Sequence, residues 1–412
     1  MGFATRMTKI VDTAAPPQGA RAVPRSVWAL GFVSMFMDIS SEMVHALLPL
    51  YMVAVLGTSV LAVGLIEGIA EATASMVKVF SGALSDRLGK RKLLAVVGYG
   101  LGALTKPVFP LASGLEWLVG ARFVDRIGKG IRGAPRDALV ADVTPPELRG
   151  AAYGLRQTLD TIGAFTGPLL AMGLMWWTAN NYQLVFWFAV LPAFIAVLVL
   201  VLWVREPARP VAAQPRRWPL RRSELGRLGA AYWWVVGIGL VFTLARFSEA
   251  FLILRGQSAG LEPMWAPAVL VVMGVAYSLS AYPAGALSDR MRRLDVLLIG
   301  LALLIAADLV LAFVPGLLGL GIGVALWGLH MGFTQGLFNA LIADSAPAEL
   351  RGTAFGMFHL LTGVALLLAS LIAGALWDAF GFQATFAVGA GCAALTAVGL
   401  LVLRAREPRG QH

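Results

Sequence analysis

Long apolar stretches separated by short polar clusters run through this chain from residue 28 to residue 404. Each is near or above the ~20 residues that a helix needs to cross ~30 Å of hydrocarbon. Twelve can be laid out, at 28–54, 61–84, 92–112, 115–140, 148–176, 182–204, 230–254, 264–288, 295–315, 317–342, 351–376 and 384–404. The pattern predicts an all-α membrane protein with twelve transmembrane helices.

The pattern also repeats. GALSDR occurs at 82–87 and again at 285–290, an offset of 203. ADVTPPELRGAAYG at 141–154 matches ADSAPAELRGTAFG at 343–356 at an offset of 202, and REP at 205–207 returns at 406–408 at an offset of 201. Three separated matches at nearly one offset predict two six-helix pseudo-symmetric halves, 28–204 and 230–404. A Pro- and Arg-rich cytoplasmic linker at 205–229 joins them, with cytoplasmic tails at 1–27 and 405–412. Duplicated halves related by an axis along the membrane normal rock about a central site.

Composition agrees: of 412 residues, 58% are hydrophobic and only 14% charged, against about a quarter charged in soluble proteins. A single cysteine, Cys392, leaves no disulfide framework and no thiolate metal site. The net charge of +10 would suggest nucleic acid in a soluble protein. Here the basic residues are spread among the loops after segments 2, 4, 6, 8 and 10, and Arg255 alone breaks the rule. That bias puts both termini in the cytoplasm, with segment 1 retained, and excludes a nucleic-acid partner.

Two motifs carry a family resemblance. Gly82 to Arg91 reads GALSDRLGKR, and its echo from Gly285 to Arg293 keeps Asp289 and Arg290 but has Arg292 in place of the glycine. The first stretch resembles the loop 2–3 signature of the major facilitator superfamily, G-x-x-x-D-R-x-G-R-R, with Lys90 for the first Arg of the closing pair. Arg122 resembles the superfamily's fourth-segment arginine. Gly163-x-x-x-Gly167-Pro168 resembles the start of a pattern associated with antiporters, although Ala171-Met172 replaces its closing glycines. The resemblance covers essentially the whole chain. It implies a monomeric secondary carrier of the inner (plasma) membrane, with no cofactor and no enzymatic activity. It further implies a conformational latch made by Gly82, Asp86, Arg87, Asp289 and Arg290, while Arg91 and Lys92 fit orientation alone.

Charges inside the apolar segments point to a site, because an ionised side chain at mid-bilayer costs on the order of 3 kcal/mol on insertion scales. Asp38, Glu42 and His45 stack on one helical stripe at i, i+4, i+7, and Glu67, Glu71 and Lys78 repeat the device in segment 2. Segment 4 places Arg122, Asp125, Arg126, Lys129, Arg132 and Arg136 at steps of three or four, whereas its counterpart offers His330, Gln335 and Asn339. Arg156 with Asp160 forms a local pair, segment 7 adds Arg246 and Glu249, and Lys106 falls near the far surface. Trp176, Trp177, Trp233 and Trp234 fit interfacial belts, and His330 and His359 fit hydrogen bonds to neighbours.

Three readings of these charges stay open: buried ion pairs, a surface for an anionic solute, and hard ligands for a divalent metal. The basic row disfavours the metal. No phosphate loop is present to burn ATP, so transport must draw on a gradient. Proton coupling is expected at Asp38, Glu42, Glu67 and Glu71, Glu42 first. Substrate contacts are expected at His45, Arg122, Asp125, Arg126, Lys129, Arg132, Arg246, Glu249, Gln335 and Asn339. The expected function is proton-coupled transport of a small anionic organic solute by alternating access, with the segment 5 pattern favouring export by antiport. The alternatives are multidrug efflux, siderophore or metal-chelate transport, divalent metal transport and, outside transport, a sensor on the same fold.

Overall fold

A computed structural model describes residues 23–145, 148–206, 225–288, 291–347 and 350–406. Asp289, Arg290 and most of the expected linker and tails lie outside the described residues. Among these residues every regular element is helical. The helices are α1 (Arg25–His45), α2 (Val60–Leu88), α3 (Arg91–Thr105), α4 (Leu115–Asp142), α5 (Arg149–Trp177), α6 (Tyr182–Trp203), α7 (Ala230–Ala245) and α8 (Ala250–Ser258). They continue as α9 (Ala268–Ser288), α10 (Arg293–Phe313), α11 (Gly316–Ser345), α12 (Arg351–Phe380) and α13 (Phe382–Arg406). Ten of the described spans are long and apolar enough to cross a membrane. α4 and α5, with 28 and 29 residues, are as long but more polar.

Local chemistry sets the ends. The Ser59 hydroxyl accepts from the Ala62 N–H at 3.1 Å to start α2, and Gly89 at φ 62° ends it in the left-handed region. Between α7 and α8 the helix breaks over residues 246–249, and the Ser370 hydroxyl of α12 accepts the freed Ser248 N–H at 3.2 Å.

One face of the bundle gathers the ends of five helices through ion pairs. Arg91 of α3 meets Asp142 of α4 at 2.6 Å, and Arg293 of α10 meets Asp344 of α11 in the same way, 202 residues further on. Arg404 of α13 joins Asp295 at 3.0 Å. Helix neighbours recur as well: α1/α5, α1/α6, α2/α4 and α3/α4 reappear as α7/α12, α7/α13, α9/α11 and α10/α11.

The apolar core explains where the bundle is tight. Its largest cluster draws on residues before 206 and after 225 alike. The other two draw on one part each, Val23–Val204 and Leu228–Phe358. The parts are pinned together at the far face, where the Asp378 carboxylate of α12 accepts from the Val60 and Leu61 N–H groups of α2 at 3.1 and 2.8 Å. α2 and α12 can approach this closely because a Cβ on Gly64 would fall 2.2 Å from the Ser370 carbonyl oxygen, and one on Gly374 2.7 Å from Leu61 Cα.

Candidate functional site

α4 organises the charges. Its glycines let it press into neighbours: a Cβ on Gly128 would lie 2.6 Å from the Gly98 carbonyl of α3, and one on Gly130 2.6 Å from Val77 Cβ of α2. The row of charged side chains is thereby driven against α1, α2 and α3. Arg122 donates to Glu67 at 2.6 Å with both side chains out of solvent. Arg126 donates to Glu71 at 3.0 Å and meets Asp125 at 3.3 Å. Arg132 stacks on the Tyr99 ring at 4.8 Å, and Arg136 reaches Asp137 at 3.0 Å and Asp160 at 3.6 Å.

Lys106 corrects the expectation that it sits at the far surface. It follows the last residue of α3, turns inward to 1% exposure, and donates to Asp125 at 3.0 Å and Ser41 at 3.1 Å. Its signal was the proline after it, which stops the helix and frees the side chain to turn. Arg156 and Asp160 do pair, at 3.6 Å.

Between this network and α7, α11 and α12 lies a cavity of about 480 Å³. From the first part of the chain Glu42, His45, Glu71, Arg126 and Lys129 line it. Arg246, Glu249 and Gln335 face them from the second part, with Phe242, Phe338 and Phe358 as apolar wall. His45 Nδ1 and Glu42 share a hydrogen bond of 3.3 Å, and His45 Nε2 stands 3.9 Å from Glu67. The helix break explains how Arg246, Phe247 and Glu249, nearly consecutive in sequence, can all reach one cavity.

Lys129 and Arg246 differ from Arg126, the third cation lining the cavity. Neither has a carboxylate within 4 Å among the described residues; Arg246 rests on the Phe242 ring at 5.5 Å and its Nε has no partner. They stand on opposite walls of a cavity that a solute could fill. A second, mainly apolar cavity of about 520 Å³ lies between α5 and α9 and shares Glu42 and Glu249 with the first.

The structure thus brings His45, Arg126, Lys129, Arg246, Glu249 and Gln335 to the cavity, with Glu42 and Glu71. It places Arg122, Asp125, Arg132 and Glu67 in the buried pairing behind it, and Asp38 beside Asp160 and Arg132. Gly82 packs against Ala134, a Cβ there meeting the Ala134 Cβ at 3.4 Å. The side chains of Asp86, Arg87 and Asn339 lie outside the described residues. Gly163 and Gly167 have a packing role, since a Cβ on either would meet α1, 2.5 Å from the Met35 carbonyl and 2.7 Å from Glu42 Cβ. His330 is fully buried, with its ring edge-on to Trp327 at 5.4 Å.

Comparison with known proteins adds a family. The model of the Major Facilitator Superfamily matches residues 30–358 and 256–412. An uncharacterized MFS-type transporter of Methanocaldococcus jannaschii is 32% identical over 396 residues, spanning 93% of this chain and 95% of the relative. The 3-(3-hydroxy-phenyl)propionate transporter of Escherichia coli is 27% identical over 285 residues, 67% of this chain and 68% of that protein. Among solved structures, a peptide transporter of the POT type in complex with sulfate superposes with a TM-score of 0.76 at 16% identity, covering 95% of this chain and 96% of that one, which is a likeness of fold.

Proposed function

Because the chain belongs to the Major Facilitator Superfamily, a family of membrane transporters and not of enzymes, we propose that it carries a small anionic organic solute by alternating access, coupled to protons. The observation that carries this reading is Lys129 and Arg246, which line the 480 Å³ cavity from the two parts of the chain, neither with a carboxylate within 4 Å among the described residues. A carboxylate or phosphate between them would pair directly with both cations and bridge the two walls, with Arg246 offering a bidentate fork. Gln335 and His45 on the cavity wall add orienting hydrogen bonds. The organic-acid relative from Escherichia coli is consistent with such a cargo.

The reading extends to architecture. Twelve spanning helices form two six-helix halves, 28–204 and 230–404, joined by the 205–229 linker; the repeated Arg91–Asp142 and Arg293–Asp344 pairs and the recurring helix neighbours support this. In this reading the ion-paired face and both termini lie in the cytoplasm of a cell with this protein in its inner membrane, as the basic loops support. The tight far face, with separate apolar clusters elsewhere, is the form of a carrier closed to the outside. Asp86, Arg87, Asp289 and Arg290 would latch the opposite state.

Glu42 is the proton carrier in this scheme. It lines both cavities, and its partner is His45 and not a fixed guanidinium, whereas Glu67 and Glu71 are held by Arg122 and Arg126. Asp38, set beside Asp160, is an accessory site for the same proton. Export by antiport follows if Glu42 and the solute occupy the cavity in turn.

Purified protein in proteoliposomes, given radiolabelled 3-(3-hydroxyphenyl)propionate and a panel of aromatic and aliphatic organic acids with and without a pH gradient, tests the reading. Gradient-dependent flux that Glu42→Gln abolishes while counterflow persists is the expected result. Flux or stabilisation by lipophilic cations alone would overturn it. The apolar cavity between α5 and α9, with Glu42 and Glu249 at its inner end, favours that second reading, efflux of amphiphiles that enter from the bilayer.

A further inference from the structure

α10 carries an acid that the central cavity does not use. Asp308 is 0% exposed, and neither carboxyl oxygen has a hydrogen-bond partner among the described residues. A Cβ on Gly389 would lie 2.8 Å from Asp308 Oδ2 and 3.2 Å from the edge of the Phe247 ring. The acid therefore packs where α13 presents bare backbone, with Phe247 beside it. Phe247 belongs to the break between α7 and α8 and also lines the 480 Å³ cavity. One aromatic ring thus touches both the buried acid's pocket and the cavity.

The titratable and charged groups on the packed elements are Cys392 on α13, His330 on α11, Arg246 and Glu249 at the break, and Arg255 on α8, whose guanidinium donates to the Leu311 and Val314 carbonyls at the end of α10. None is hydrogen-bonded to Asp308. His330 is itself 0% exposed, and its ring meets Trp327 edge-on at 5.4 Å, which in turn lies 5.5 Å from Phe247. The region holds a buried acid and a buried imidazole around one aromatic cluster.

An ionised carboxylate here would bear a desolvation penalty of several kcal/mol with no counter-charge to offset it. The neutral acid leaves only ordinary polar atoms unpaired, a much smaller cost. A place that only suits the neutral form, sealed by a residue in a helix break, is a proton site whose access depends on that break. We propose that Asp308 is a second proton-binding site, separate from the cavity acids, which keeps its proton on the carboxyl group behind Phe247 and exchanges it only when the break rearranges. The proton passes to water on opening, and the carboxylate takes one back before the ring returns. The site does not depend on the charge of the cargo.

Infrared spectroscopy of the full chain in liposomes tests this without a transported solute. A carbonyl band of a protonated carboxylic acid is expected at neutral pH, surviving in Glu42→Gln and lost in Asp308→Asn. The asparagine, neutral and equal in shape, should leave the thermal midpoint unchanged. On transfer to D2O the band should shift slowly in the wild type and faster in Phe247→Ala, which removes the ring without touching the acid. A band that Asp308→Asn leaves intact would overturn the proposal, and so would exchange that is equally fast with and without Phe247. If Asp308→Asn fails to fold, the wild-type and Phe247→Ala exchange rates still decide whether a slow, ring-gated acid exists.

Discussion

The seal at the far face can be weakened by one side chain. Asp378 accepts two N–H groups from the first turn of α2, at 3.1 and 2.8 Å, and comes from α12, more than 300 residues away in sequence. It therefore acts as a helix cap supplied by the other part of the chain. Asp378→Ala removes both hydrogen bonds and the negative charge at the positive end of α2. A cap is worth about 1 kcal/mol, and a charge at an exposed helix end about 0.3–1 kcal/mol. The two overlap here, because one carboxylate supplies both, and Asp378 and Leu61 are exposed, which keeps the total near 1 kcal/mol. That magnitude shifts a two-state equilibrium about fivefold. Nitroxide labels at Leu111 and Phe313, 67% and 66% exposed at the far-face ends of α10 and of the turn after α3, would report the opening in a Cys392→Ala background by pulsed electron spin resonance. The population at longer distance should rise about fivefold in Asp378→Ala and by less in Asp378→Asn, which keeps an acceptor oxygen. An unchanged distance distribution in both variants would refute the cap as part of the seal.

Further outcomes follow from the same geometry. Gly64→Ala should open the far face in the same spin-label assay more than Asp378→Ala does, because the new methyl would fall 2.2 Å from the Ser370 carbonyl and neither backbone can yield cheaply; overpacking of this kind costs about 1–3 kcal/mol. Glu67→Gln should lower stability by about 3–5 kcal/mol, read as a drop in thermal midpoint or folded yield, since it strands the buried Arg122. Replacing both Glu67 and Arg122 with Met should recover much of that loss. Lys129→Gln should leave the midpoint nearly unchanged, within about 0.5 kcal/mol, yet weaken retention of organic anions in an equilibrium binding assay.

Much of the fold was legible because a bilayer constrains sequence so strongly. Apolar stretches long enough to span marked out the helices, and signatures matched some 202 residues apart showed the repeat, but Arg91 read only as an orientation charge, and its pair with Asp142, repeated as Arg293–Asp344, came from the packing. Helical spacing also showed that Glu42 and His45 share a face. Less legible was which of several equivalent charges meets which. Spacing puts Arg122, Arg126 and Lys129 on one stripe, but only the packing of α4 against α2 decides that two of them are paired and Lys129 is not. Lys106 was misjudged because position along a helix says little about a side chain beyond its last turn. Asp308 attracted no notice as a single acid in an apolar run; its meaning comes from Gly389 on α13 and Phe247 in the break, neither of them near it in sequence.

The distribution of partnered and unpartnered charge separates scaffold from moving part. Around α4, Glu67, Glu71, Asp125 and Asp160 each meet a cation, so this side of the cavity is cross-linked by interactions that are costly to break singly. Across the cavity, among the described residues, Arg246 has no carboxylate within 4 Å and the Asp308 carboxyl has no hydrogen-bond partner, and the helix that carries Arg246 is interrupted. Such groups lose little when their surroundings change and gain when a solute, a proton or water arrives. A two-state element must be found where both arrangements are nearly equal in free energy. The break at 246–249 meets that condition and the α4 network does not, so motion that couples cavity and far face should pivot on Phe247 and its neighbours while α2, α3 and α4 move as one body.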